Sequence, residues 1–195
     1  MTLEELERQA SACTACELSF SRTRVVFGAG DAKARIVFVG EAPGLNEDRQ
    51  GAPFVGAAGQ LLTKLLDSVG LDRSEVYITN VVKCRPPDNR DPTSEEVDTC
   101  RPFLKGQLEM IEPLVVCALG NFAAQALVGK RVGITKLRGK PVQIEKYFVL
   151  PMFHPAAALH RGDLMSEVEA DFRGLKAFLE SGMRPKPVGE QTSLF

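Results

Sequence analysis

The sequence predicts an α/β fold, a three-layer α/β/α sandwich around a central, mostly parallel sheet. Three observations lead there. Short β-branched and apolar runs alternate with longer segments of helical periodicity, the order that builds a parallel sheet covered on both faces. The runs, such as Arg35–Val39 (RIVFV) and Leu114–Leu119 (LVVCAL), read as buried strands ended by turn residues. The chain has 195 residues, 44% hydrophobic and 25% charged, an ordinary composition for one domain whose core needs no staple.

The elements follow in order. Thr2 and Glu5 form a capping box before Leu3, Leu6 and Ala10, so a short helix should run toward Cys13. Arg35–Val39 is a strand that opens through Gly40 into the turn-rich Glu41-Ala42-Pro43-Gly44. Leu61, Leu62, Leu65, Leu66 and Val69 share a helical stripe across Gly59–Val69, which Gly70 stops. Val76–Val82 is the next strand, followed by a loop with Pro86, Pro87, Asp88, Asn89 and Pro92. Thr93 and Glu96 repeat the capping signature and start a helix to Ile111, in which Pro102 is either an anomaly or a break. Leu114–Leu119 is a strand, and Asn121 is expected to cap a helix over Phe122–Val128. Phe148–Phe153 is the last strand and runs into His154, and Ser166–Leu179 is the last helix. Residues 1–181 are thus expected to form one domain, with 182–195 as a flexible tail. The loops after Val39, Val81, Leu119 and Phe153 all follow strands, where α/β sheets place their sites.

Charge narrows the function. The 24 Lys+Arg against 25 Asp+Glu leave a formal net charge of −1, which removes the bulk-charge argument for nucleic-acid binding. A local patch remains: Lys130–Lys140 (KRVGITKLRGK) holds Lys130, Arg131, Lys136, Arg138 and Lys140 and no acidic residue. No run approaches the roughly 18 apolar residues of a membrane span, and Met1–Glu7 is acidic where a signal peptide would be basic. The expectation is a cytoplasmic protein with no membrane contact.

Cysteines stand at positions 13, 16, 84, 100 and 117. Cys13-Thr-Ala-Cys16 is a C-x-x-C pair, and Cys84 and Cys100 lie near turns, so four thiolates are available for zinc or for a four-iron, four-sulfur cluster. Spacing does not separate the two. Cys117, inside Val115-Val116-Cys117-Ala118-Leu119, reads as a small core hydrophobe.

Several motifs occur in order: Gly40-Glu41-Ala42-Pro43-Gly44, Glu47-Asp48, Pro53-Phe54-Val55-Gly56, Thr79-Asn80-Val81-Val82-Lys83-Cys84-Arg85-Pro86-Pro87 and His154-Pro155-Ala156. Together they resemble the family-4 uracil-DNA glycosylases, the iron–sulfur members of the uracil-glycosylase superfamily. The resemblance implies a 4Fe-4S cluster on Cys13, Cys16, Cys84 and Cys100. It also implies a monofunctional enzyme of base-excision repair that flips uracil from single- or double-stranded DNA and hydrolyses its N-glycosidic bond. That chemistry must stabilise an oxocarbenium-like sugar and a departing uracil anion.

On this resemblance His154 donates to uracil O2, Asn80 reads the Watson–Crick edge and Phe54 stacks on the flipped ring. Better-known uracil glycosylases carry a water-orienting Asp where this chain has Ala42 and a thymine-excluding Tyr where it has Gly44. The Glu41-Ala42 backbone then positions water and base, Glu41 or Glu47 offsets the cationic sugar, and Asn89 braces the loop. Arg85, Lys136, Arg138, Leu159 and Arg161 are the candidate DNA contacts, with Leu159 next to Ala158, where relatives carry a bulky wedge. A histidine-bearing inserted loop, through which a related group traps DNA covalently, is absent between Cys84 and Cys100. The other-class alternative is a non-catalytic iron–sulfur DNA-binding or electron-transfer module, which needs neither Asn80 nor His154. The chain is expected to be a monomer. Its end, Gln191-Thr192-Ser193-Leu194-Phe195, resembles a bacterial sliding-clamp motif in which Gln191 anchors and Leu194 and Phe195 fill a pocket.

Overall fold

The computed structural model describes residues 1–129 and 133–187. Its middle layer is a sheet of β1 (Ala29–Gly30), β2 (Ile36–Gly40), β3 (Tyr77–Asn80), β4 (Val115–Leu119), β5 (Val142–Ile144) and β6 (Tyr147–Met152). The strand order is β1-β3-β2-β4-β6-β5. β3, β2, β4 and β6 run parallel, and the short β1 and β5 close the edges antiparallel. All of β2, β3 and β4 is buried, because helices cover both faces.

The helices are α1 (Leu3–Ser11), α2 (Leu18–Ser21), α3 (Leu45–Gln50), α4 (Ala57–Ser68), α5 (Ser94–Ile111), α6 (Gly120–Val128), α7 (Ile134–Leu137), α8 (Pro155–His160) and α9 (Met165–Glu180). One core joins Phe38, Ile78 and Cys117 to Leu62 and Leu66 of α4 and Phe172 and Leu175 of α9. The other joins Val37, Val39 and Val116 to Leu104 and Leu108 of α5 and Ala123 and Ala124 of α6. Alternate side chains of one strand therefore feed opposite cores. Cys117 is fully buried, as a core hydrophobe should be.

Three expectations change. Pro102 does not break α5, in which it lies on the exposed side. Asn121 is not a cap: α6 begins at Gly120, whose φ of +89° turns the chain straight from strand to helix. The Asn121 Oδ1 instead accepts from the Ile134 N–H at 3.1 Å, tying α6 to α7. The tail is also held further than expected. The Lys186 N–H donates to Gln143 Oε1 at 3.1 Å, and Gln143 Nε2 donates to the Lys186 carbonyl at 2.9 Å, on the outer strand β5. Gln191, Leu194 and Phe195, like Lys130 and Arg131, lie outside the described residues. Among the described residues no helix is long and apolar enough to cross a membrane.

Candidate active site

The loops leaving β2, β3 and β6 enclose a cleft of about 600 Å³ at the carboxyl end of the sheet. Its lining brings together Glu41, Ala42, Glu47, Phe54, Asn80, Asn89 and His154, and it adds Arg90, Asp91 and His160, which the sequence did not point to.

The floor depends on parallel register. Gly40 ends β2 opposite Asn80, which ends β3. A Cβ on Gly40 would stand 2.4 Å from Asn80 Oδ1 and 2.8 Å from Phe54 Cζ, so a glycine lets both side chains close over the strand end. Asn80 is 2% exposed, and its side-chain amide has no hydrogen-bond partner among the described residues. Phe54 is held in a left-handed backbone conformation, φ +51°, that costs an ordinary residue energy. Arg73 Nη2 restrains it by donating to the carbonyls of Pro53 and Phe54, each at 2.9 Å. Gly59 allows the approach, because a Cβ there would lie 1.7 Å from the Phe54 carbonyl oxygen.

His154 follows β6 and caps α8. The Ala156 N–H donates to its Nδ1 at 3.1 Å, so the neutral ring carries its proton on Nε2. Burial pushes its pKa down to about 4, with Glu47 opposing, so the ring is neutral near pH 7. Glu47 itself is less free than expected: its Oε1 accepts from the Val55 and Gly56 N–H groups, each at 2.9 Å, and braces the Phe54 loop.

Glu41 has a different setting. Burial first, then the charge and hydrogen bond of Asp91, raise its pKa to about 7. The Asp91 side chain is thus the like-charged neighbour of Glu41 on this wall of the cleft. Arg90 fixes this side of the cleft, donating to both Glu96 oxygens at 2.9 and 2.6 Å and to the Asp91 carbonyl at 2.9 Å. Glu96 also closes the capping box with Thr93 at the start of α5. That box was visible in the sequence, whereas the Arg90 and Asp91 contacts depend on how the loop folds back. Asn89 accepts from Arg85 Nε at 2.7 Å, so those two are joined.

Cys13, Cys16, Cys84 and Cys100 lie apart from the cleft lining but share an electrostatic environment. Cys84 is pushed up mainly by burial, with Cys16 and Cys13 among the lesser contributors. Burial likewise raises Cys100 to about 11, with Cys84 and Cys16 adding. N–H groups point at the sulfurs: Arg22 Nη1 lies 3.3 Å from Cys84 Sγ, and the Lys83 N–H lies 3.3 Å from Cys100 Sγ. Among the described residues no group of three or more His, Cys, Asp or Glu is set to hold a single metal ion.

The candidate DNA contacts divide. Leu159 is 48% exposed, while its neighbour Ala158 is buried in the core and is not a wedge. Lys136 is exposed. Arg138 is bound by Asp171 and Glu167, and its guanidinium lies 4.6 Å over the Phe153 ring. Arg161 is exposed but paired with Asp163 at 2.7 Å.

Residues 27–173 match the family model described as the uracil DNA glycosylase superfamily. Three similar proteins are each named a type-4 uracil-DNA glycosylase. That of Archaeoglobus fulgidus is 48% identical over 180 residues, covering 88% of this chain and 90% of its own. For Thermotoga maritima the figures are 48% over 182 residues, 91% and 95%. For Sulfurisphaera tokodaii they are 44% over 195 residues, 95% and 87%.

Proposed function

The chain belongs to the type-4 uracil-DNA glycosylases of the uracil-DNA glycosylase superfamily, and from that premise we propose how its cleft excises uracil from DNA. The observation that carries the reading is Asn80, an amide at the floor of the cleft with no side-chain partner among the described residues, beside the stacked rings of Phe54 and His154. A flipped uracil presents one donor and one acceptor to that amide, and cytosine reverses the pattern. The Nε2–H of neutral His154 donates to uracil O2, and the contact strengthens as the base becomes anionic. Phe54 supplies the flat face, and its restrained loop keeps that face in place.

The Glu41–Asp91 pair takes the proton of the attacking water, and its negative charge offsets the cationic sugar. Glu47 holds the Phe54 loop and acts electrostatically. The backbone of Glu41-Ala42 positions the water, helped by the Val82 N–H, which donates to the Glu41 carbonyl at 3.1 Å. The cleft lining contains no lysine among the described residues, which supports water as the nucleophile and an abasic site as the product.

Cys13, Cys16, Cys84 and Cys100 are a donor set that fits a 4Fe-4S cluster, which uses one thiolate per iron and so needs no site for a single ion. These four residues would hold it, and so held it would tie the N-terminal segment to the loop after β3 and to α5 and supply structure. Leu159 enters the duplex as the wedge, and Lys136, Arg85 and Arg161 meet phosphates. Residues 1–181 act as one monomeric domain in the cytoplasm, and the Gln191, Leu194 and Phe195 motif binds the sliding clamp.

The test is incubation with single- and double-stranded oligonucleotides carrying one uracil, followed by alkali. Alkali-labile sites at the uracil are expected, and none on either substrate overturns the reading.

A further inference from the structure

Lys83 does not line the cleft, yet it is bonded to a residue that does. It is 1% exposed, and its Nζ donates to the main-chain carbonyl of Asn80 at 2.7 Å, to Thr79 Oγ1 at 2.6 Å and to Gln107 Oε1 at 2.6 Å. Three acceptors match the three N–H bonds of an ammonium, and none of them is charged. The acceptors are themselves fixed. The Thr79 hydroxyl donates to the Phe27 carbonyl at 2.7 Å, and Gln107 Nε2 donates to the same carbonyl at 2.9 Å. On its other side, the Lys83 main-chain N–H points at Cys100 Sγ.

A buried cation is a costly way to fill space, since an apolar chain of the same length avoids the desolvation. What the ammonium adds is a rigid bond to Asn80. This residue ends β3, and a carbonyl at a strand end otherwise turns to water and lets the residue move. The side chain that reads the base hangs from that same backbone unit.

We propose that Lys83 is a positioning residue for uracil recognition: it locks Asn80 from beneath the cleft floor and ties that position to the loop bearing Cys84 and Cys100. The proposal rests on Asn80 being the residue that reads uracil.

The experiment compares Lys83→Met, Asn80→Ala and wild type, each first checked for visible absorbance and melting temperature. The readouts are single-turnover excision from a uracil oligonucleotide, inhibition by free uracil, and affinity for an oligonucleotide with an abasic analogue, which has no base to read. Folded Lys83→Met is expected to lose about thirtyfold in excision rate and to weaken uracil inhibition by a similar factor, with abasic-analogue affinity unchanged. Wild-type excision and uracil inhibition in folded Lys83→Met overturn the proposal, provided Asn80→Ala has lost both. If Asn80→Ala keeps uracil inhibition, the reading of Asn80 fails first and the proposal with it. A merely structural Lys83 lowers melting temperature and weakens abasic-analogue affinity in step with excision, and that result also overturns it.

Should Lys83→Met not fold, Gln107→Glu decides. It keeps the lysine and sets a carboxylate against Nζ, drawing the ammonium away from Asn80. A slowing of about tenfold with normal melting supports the proposal, and an unchanged rate overturns it.

Discussion

The rings of Phe54 and His154 are stacked, with centroids 5.5 Å apart and planes 27° from parallel. The aromatic face offered to the base and the donor offered to its oxygen therefore move as one unit. Phe54→Ala is expected to lose the stacking of the base, about 1 to 3 kcal/mol, and also to loosen His154. Single-turnover excision per folded molecule should fall accordingly. A lower melting temperature with normal excision in the folded fraction would make Phe54 a core residue only.

Gly40→Ala tests the floor of the cleft. The nearest atoms to the added methyl are the ends of the Asn80 and Phe54 side chains, so the fold should survive while both are pushed aside. Excision should drop by about a hundredfold or more, with a melting temperature within about 5 °C of wild type. Near-normal excision would mean that neither side chain needs its present place.

The Glu41 carboxyl titrates near 7 and is the form needed to accept a proton only when ionised. Single-turnover rate should therefore rise with pH through about 7 and level above it. Asp91→Asn removes a like charge, which lowers the Glu41 pKa and moves this limb to lower pH. His154, at about 4, should add no inflection between these limits. A limb unmoved by Asp91→Asn would separate Asp91 from the proton transfer.

Cys100→Ala and Cys117→Ala should behave in opposite ways. The first should lose visible absorbance together with thermal stability. The second removes one buried sulfur from β4, should cost about 1 kcal/mol, and should leave absorbance and excision intact. Spectra and melting curves of the two purified variants decide this.

Arg138→Ala should act on stability more than on DNA. Asp171, whose side chain is 3% exposed, would lose its cationic partner, at a cost of about 2 to 3 kcal/mol. The salt dependence of DNA affinity should hardly change, whereas Lys136→Ala should reduce its slope by about 1. A reduced slope in Arg138→Ala would make it a phosphate contact as well.

The parts of the fold that were legible are those whose signal is local. β2 and β4 announce themselves as continuous apolar runs, and α1 and α5 through capping boxes at Thr2 and Thr93. β5 was missed because Val142–Ile144 is three half-buried residues with no run to see. α3 and α8 are six residues each and too short to show a stripe. In the site, motif order brought out Asn80, Phe54 and His154. Asp91 and Arg90 were not legible, since Glu41 and Asp91 meet only through two loops that are distant in sequence. The ion pairs of Arg138 were not legible, because its basic neighbours are consecutive in the chain while its carboxylate partners come from α9.

Chain order has a consequence for synthesis. Asn80 is in place once β3 has joined β2, but His154 arrives behind β6, which pairs on the far side of β4. A chain stopped between β4 and β6 thus carries the floor of the cleft without its donor, and it leaves an edge of β4 unpaired. Such a fragment lacks the donor to uracil and exposes a strand edge able to pair with another chain.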